Sequence, residues 1–600
     1  MFQKRRLSVY VVLLLAVSLV VFRSISLPTR ALSWDVFGYY LYLPATFIYD
    51  DPGLENPEWV DEVMEKYQPS ATLYQLVNGT DGKKVIKYTS GLALLYSPFF
   101  LIAHWIAPAL GYPADGFSLP YQLILSLGGI LWAIFGLIIL RKLLLRLFDD
   151  RTTAVTILLI GFGTNYFQLT AFDGTLLSQN FLFSLYAFLL YTTIRWYERP
   201  SLKRAFQMGL TCGLITLIRP SEIVCLLIPL FWNAGSWRQF IFRFKVMKTN
   251  INHVLSFLVP AIIVGSIQFI YWKTTTGNWI FYSYDNPGEG FRFFPPYIFE
   301  FLFSYRKGWF VYTPVMLFAL AGFYHLYKRS KAWNFAILAY VLLDLWIVSS
   351  WSCWWYAGGS FSARAMLPTY VLLALPLASL VEVVFLHRLR WLAAFFGLAL
   401  IVLNLFQTWQ FETGIIDKER MTKDYYWAVF GKTNIDKDKL DELLLVERST
   451  ESRDTFKHKD RYEKRSLFGP SPVSSDTTGA LKLNGLNPYA PGPEIAYSDL
   501  TSFDHAWIYA SVEVFIPESY QGQLPRLVAA FHHKGEAYKY RSETISPDSL
   551  KPGDWNTISF YYLTPEVRTP HDNLKVYVWQ REPSTIYIRN FNVEVWETKK

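Results

Sequence analysis

Runs of apolar residues close to bilayer length recur along the first 410 residues of this 600-residue chain, more than one soluble core could bury. The chain therefore reads as a polytopic α-helical membrane protein. Candidate spans lie near 8–27, 119–147, 152–170, 175–197, 203–218, 221–234, 251–272, 309–327, 332–350, 365–386 and 390–409, about 11 spans. A further run at 91–110 would, if it crossed, put the basic loop 141–151 outside and the base-free loop 111–118 inside. That opposes the positive-inside tendency, so 91–110 is taken as an interfacial or re-entrant helix. The first run follows Lys4-Arg5-Arg6, and no small-residue cleavage site precedes Pro28, so it reads as a retained span.

With these choices the basic loops fall on the cytosolic side. The segments 28–118, 273–308 and everything after about 410 then face outward. The runs 203–218 and 221–234 are short and are separated by Arg219-Pro220, where proline breaks a helix. If they form one kinked span, the C-terminal region moves inside. The formal charge of +9 sits mainly in short loops, which gives no sign of nucleic acid binding. Three cysteines, Cys212, Cys225 and Cys353, support neither a disulfide framework nor a zinc site.

Residues 1–410 form the transmembrane domain, 411–465 a polar connector, and 466–600 a domain of another kind. There, short segments such as 507–514, 574–579 and 586–595 alternate apolar and polar residues between turn signals, as strands with one buried face do. The expectation is an all-β sandwich of jelly-roll type. Its Trp and Tyr residues at alternating positions either stack on sugar rings or fill its core.

Few polar groups stand near the outer membrane edge. Asp35 follows the first span among aromatics that include Tyr39, and it is either a functional acid or a helix cap. Asp173, in Phe172-Asp173-Gly174, is a second such acid or a tight turn. Lys87, next to Tyr88, either meets a lipid phosphate or snorkels. Arg219 stands three residues before Glu222, and a helical ion pair is the favoured reading. Arg306 and Lys307 put two cations outside against the usual bias, which suggests an anionic ligand. The run Trp354-Trp355-Tyr356-Ala357-Gly358-Gly359-Ser360-Phe361-Ser362-Ala363-Arg364 joins an aromatic wall to one guanidinium.

In this order, Asp35, the 87–98 stretch, Leu217-Ile218-Arg219-Pro220 and the Trp354 to Arg364 run resemble the GT-C superfamily of membrane glycosyltransferases. The bacterial protein mannosyltransferase and aminoarabinose transferase group is the nearest in pattern. The resemblance implies transfer of a sugar from a polyprenyl-phosphate donor to a glycan, lipid or protein acceptor on the outer face of a bacterial inner membrane. It implies that Asp35 serves as a base or orients the acceptor, with Asp173 a second candidate catalytic carboxylate, and that Lys87, Arg306, Lys307 and Arg364 are donor-phosphate ligands. Tyr39, Tyr88, Trp354 and Trp355 would contact substrate. A lone Asp35 replaces the family's adjacent acidic pair, which leaves a divalent metal open; the sequence itself requires no cofactor. The competing readings are a transporter or flippase of a lipid-linked glycan, and a polymerase or ligase acting on one.

Overall fold

The computed structural model describes residues 6–79, 83–284, 290–356, 359–448, 456, 459–469 and 480–599, apart from the side chains of Asp173, Trp237, Phe244 and Val246. The chain divides into a larger unit, Met1–Asp285 with Gly290–Asp441, and a smaller one whose main segment is Glu442–Lys600.

The larger unit is helical. In chain order it contains α1 (Leu7–Ile25), α2 (Asp35–Tyr40), α3 (Tyr42–Phe47), α4 (Glu58–Tyr67), the hairpin β1 (Leu76–Asn78) and β2 (Lys84–Ile86), and α5 (Gly91–Ala109). Then follow α6 (Leu119–Leu147), α7 (Asp150–Gly163), α8 (Tyr166–Ala171), α9 (Ser178–Glu198), α10 (Leu202–Ile218), α11 (Leu227–Phe231), α12 (Trp237–Thr249) and α13 (Ile251–Thr276). The unit closes with α14 (Ile298–Phe303), α15 (Trp309–Tyr312), α16 (Met316–Arg329), α17 (Lys331–Ser349), α18 (Tyr370–Leu386), α19 (Arg390–Glu412), α20 (Lys423–Val429) and α21 (Lys437–Leu440).

This is a helical membrane protein with a C-terminal β domain. Among the described residues six helices, not eleven, are long and apolar enough to cross a bilayer: α1, α5, α6, α13, α17 and α19. The other expected spans fall short for physical reasons. The run expected at 152–170 ends at Gly163, after 14 residues, and resumes as the short α8. The run at 221–234 is a 3-10 turn, Pro220–Leu226, followed by α11. Helix α9 has 21 residues, but it is enclosed by other helices and carries polar groups that lipid would not tolerate. Its Asn180 donates to the Gly129 and Thr175 carbonyls, both at 2.8 Å, and Ser184 donates to Trp132 O at 2.7 Å.

Contacts at the helix ends fix the direction of each. Arg141 Nε donates to Ser8 Oγ at 2.7 Å and Arg23 Nη2 to Ser126 Oγ at 3.3 Å, so α1 and α6 run antiparallel. Gly209 lets α10 pack on α13, since a Cβ there would lie 1.8 Å from Phe257 O. Helix α5 starts against Ile218 at the end of α10 and leads into the loop where Lys66 pairs with Asp115 at 3.0 Å. Its length is that of a span, yet both its ends meet the segment that follows α1.

The smaller unit contains β3 (Tyr462–Phe468), β4 (Leu481–Leu483), β5 (Tyr489–Ala496), β6 (Trp507–Ile516), β7 (Arg526–His533), β8 (Glu536–Glu543), β9 (Asp554–Leu563), β10 (Asn573–Trp579) and β11 (Ile586–Thr598). Two antiparallel sheets, β5-β10-β7-β8 and β3-β11-β6-β9 with β4 on β11, enclose one core. This strand order is that of a jelly roll. Strand β3 begins inside the stretch read as connector. Alternation is regular: Ile508, Ala510, Val512, Val514 and Ile516 point inward from β6.

Candidate active site

Trp34 has a positive φ of 55°, which turns the chain sharply into α2 and leaves Asp35 as the first helical residue. The loop behind it is held by Trp34 N donating to Pro69 O at 3.0 Å and Gln75 Nε2 donating to Trp34 O at 3.1 Å. Asp35 does not cap the helix. Its Oδ1 accepts the hydroxyls of Tyr74 and Tyr88, each at 2.8 Å, and its Oδ2 lies 3.0 Å from Arg364 Nη2.

The hairpin explains the paired phenols. Leu76 pairs with Ile86 and Lys87 N donates to Gln75 O, so Tyr74 and Tyr88 flank the hairpin at matching positions and converge on one carboxylate. Gly38 lets the Tyr88 ring lie on α2, because a Cβ there would come within 2.3 Å of Tyr88 Cδ2. Tyr39 packs against the same ring, tilted by 37° with centroids 4.4 Å apart. Lys87 is buried, its ammonium 4.9 Å from the Tyr284 ring and 5.8 Å from that of Tyr74.

Arg364 opens a 3-10 turn between α17 and α18. Its loop is anchored from two sides: Asn165 Nδ2 donates to Phe361 O at 3.1 Å, and Lys307 Nζ donates to Ser360 O. The Arg364 side chain is 10% exposed and that of Asp35 30%, and Arg364 Nε, itself buried, has no hydrogen-bond partner. Burial alone would raise the Asp35 pKa. The Arg364 charge and the two phenol donors outweigh it and hold the carboxyl below the usual range. Burial and the Asp35 charge push Tyr74 up, so that its hydroxyl stays a donor.

Arg219 belongs to this cluster, contrary to the helical ion pair expected with Glu222. Pro220 ends α10, Arg219 is extended, and Glu222 accepts the Tyr186 hydroxyl at 2.6 Å while staying within electrostatic reach of Arg219. The Arg219 guanidinium lies within electrostatic reach of Asp35, Tyr39 and Tyr356. The signal was present in the sequence, since the proline that follows forbids the helical geometry the pair would need.

Other predicted residues lie apart from the carboxylate. Lys307 is buried, donates to the Ser360 and Lys418 carbonyls and sits 5.2 Å from the Phe411 ring. Burial first, then Arg306 and Arg364, pull its pKa down to about 7. Arg306 lies 4.0 Å over the Trp355 ring and donates to Glu419 O at 2.8 Å; Trp354 is 5.8 Å from Trp355. Asp173 starts a 3-10 turn, Asp173–Leu176, and its side chain lies outside the described residues, as do Ala357 and Gly358. Among the described residues no three His, Cys, Asp or Glu side chains converge as a metal site.

A carboxylate gripped by one guanidinium and two phenols, at one end of an apolar helical bundle, defines the site of this membrane protein. No family model matches the sequence, and no curated protein matches it.

Proposed function

We propose that the protein is a GT-C-type glycosyltransferase that moves a sugar from a polyprenyl-phosphate donor to an acceptor at the outer face of a bacterial cytoplasmic membrane. The observation that carries this reading is the Asp35–Arg364 pair at 3.0 Å, with an unpartnered Arg364 Nε beside it. A glycosyl transfer from a lipid phosphate needs a base for the acceptor hydroxyl and cations for the departing phosphate, and one cluster offers both.

In the proposed step the acceptor oxygen attacks the anomeric carbon, and the bond from that carbon to the phosphate oxygen breaks. The electron pair leaves on the phosphate, and the acceptor proton passes to Asp35. Arg364 is shared between the two roles. While it pairs with Asp35 the carboxylate is a weak base; a phosphate that draws the guanidinium away leaves the carboxylate more basic. Arg219 supplies a second positive charge near the same point, and the buried Tyr39 and Tyr88 rings hold the Asp35 end of the site in place.

The outer placement of the jelly roll is part of this proposal; the basic end of α6, joined to the end of α9 by Arg146 and Glu198 at 3.1 Å, supports a cytosolic pole opposite the Asp35 site.

One observation favours the transporter reading. Asp344 is buried in α17, where it accepts the Thr369 hydroxyl at 2.5 Å, and such acids mark ion pathways in carriers. Purified protein given a radiolabelled polyprenyl-phosphate sugar separates the two. Asp35-dependent release of the sugar supports transfer, whereas intact donor that only changes leaflet in vesicles supports transport.

A further inference from the structure

The outer face of the β5-β10-β7-β8 sheet carries features that the transferase site does not use. In a sandwich the outward residues are ordinarily small and polar. Here the outward positions of β10 are Tyr577 and Trp579, while Leu574, Val576 and Val578 face the core. Tyr489 on β5 is the register partner of Trp579, their rings inclined by 17° with centroids 6.2 Å apart, and Tyr577 lies 5.9 Å from Tyr489. On the other side Tyr540 of β8 stands 71% exposed opposite Ala530, and Tyr489 is 54% exposed. Between these walls β7 turns the small side chains Val528 and Ala530 outward, buried beneath their neighbours, with Arg526 and His532 toward its ends.

The charged groups on this face are not balanced. Lys575 pairs with Glu494 at 3.0 Å. Arg526, across the ladder from Trp579, donates only to Ser542 Oγ at 2.8 Å, and Arg581 lies 5.4 Å over the Trp579 ring. Among the described residues neither guanidinium has a carboxylate partner, and Glu582 is turned toward Gln523 N at 3.2 Å. Flat rings suit the C–H faces of pyranoses, and unneutralised guanidinium forks suit carboxylates.

We propose that this face binds an acidic oligosaccharide, its sugar rings lying along Tyr489, Trp579 and Tyr540 and its carboxylates meeting Arg526 and Arg581. Ring stacking alone would accept any glycan chain, and the two arginines select the acidic one by charge complementarity. The proposal does not rest on the transferase reading.

Short oligogalacturonate titrated by calorimetry into the detergent-solubilised full-length protein tests it, with an uncharged maltooligosaccharide of equal length beside it. The acidic chain binds, and the uncharged one binds more weakly. Trp579→Ala and Arg526→Ala each weaken the acidic chain by about tenfold or more, as truncation of a central aromatic or arginine contact does. Tyr540→Ala and Arg581→Gln, at exposed positions that leave the core intact, weaken it less. Asp35→Asn leaves it unchanged. No binding, equal binding of the uncharged chain, or unaltered affinity in the Trp579 and Arg526 variants would each overturn the assignment. So would loss of binding in Asp35→Asn, which would move the glycan to the helical unit.

Discussion

Arg364 Nη2 lies 3.0 Å from Asp35 Oδ2 although 329 residues separate the two in the chain. The contact joins the first segment after α1 to the turn between α17 and α18, so it forms only when the helical unit is assembled. Both partners are largely withdrawn from water, and an ion pair there gains more than a surface pair but leaves a costly charge when one member is removed.

Arg364→Ala should therefore do two things. It removes the proposed phosphate ligand and strips Asp35 of a charge that keeps its pKa low. The acid limb of the pH–rate profile should move to higher pH, because the carboxylate then protonates more readily. Arg364→Lys should show a smaller move and intermediate donor affinity, since lysine keeps the charge but loses the fork. An acid limb in the alanine variant that coincides with wild type would separate the pair from catalysis.

Asp35→Asn should lower turnover by roughly two to four orders of magnitude, the usual loss on removing a general base. The amide still accepts one phenol hydroxyl but leaves the buried Arg364 charge unpaired, so thermal unfolding in detergent should also move to lower temperature. Near-normal turnover would remove Asp35 from the chemistry.

Gly38→Ala tests the support beneath Tyr88. The new Cβ would fall 2.3 Å from Tyr88 Cδ2, so the ring must move and its hydroxyl must leave Asp35. Turnover should drop by about tenfold to a hundredfold, as displacements of roughly 1 Å at a site do. Adding Gly38→Ala to Tyr88→Phe should then cost less than it does in wild type. Full additivity in that cycle would refute the link.

Much of this was legible in the sequence. The span expected at 119–147 coincides with α6, because long apolar runs admit few structures. Asp35 stood out as a lone acid beside aromatics. Arg219 did not, because helical spacing to Glu222 offered a simpler partner than one far along the chain. Helix α9 was counted as a span although its Asn180 and Ser184 find carbonyls on α6 that no periodicity reveals. In the jelly roll, alternation located the strands but not which face is core. Aliphatic residues such as Ile508 turned inward, and the aromatics Trp507 and Tyr509 turned out.

Lys307 gives a pH signature of its own. Its pKa is pulled from 10.5 to about 7 in the folded protein, chiefly by burial, so between these values the unfolded chain binds more protons. Stability therefore rises with pH through that window, and below about 7 the strained ammonium is fully present. Glu419 and Asp417 oppose the shift, and Arg306 and Arg364 enlarge it. Lys307→Met should flatten the difference in thermal unfolding between pH 7 and pH 9.5 relative to wild type, as long as the Ser360 and Lys418 carbonyls find water. Parallel curves for the two proteins would show that Lys307 titrates as an ordinary lysine.

The proposed orientation fixes where the jelly roll must be. Arg146 at the end of α6 donates to Glu198 at the end of α9 at 3.1 Å, and Asp150 accepts Leu7 N at 2.9 Å, so the start of α1 shares one pole with these basic ends. In the proposed orientation, positive charge makes that pole the cytosolic one. Helix α19 starts at Arg390, close after Glu382, which pairs with Arg329 at the same pole, and it ends at Glu412, toward the other. In that orientation the chain after it is expected to leave outward. Ser549, exposed in the 3-10 turn Pro547–Ser549, is a suitable reporter, because Cys212 and Cys225 are buried and only Cys353 is partly open. In a Cys353→Ser background, Ser549→Cys should react with a membrane-impermeant maleimide in intact spheroplasts. Reaction only after permeabilisation would place the domain inside and overturn the proposed orientation.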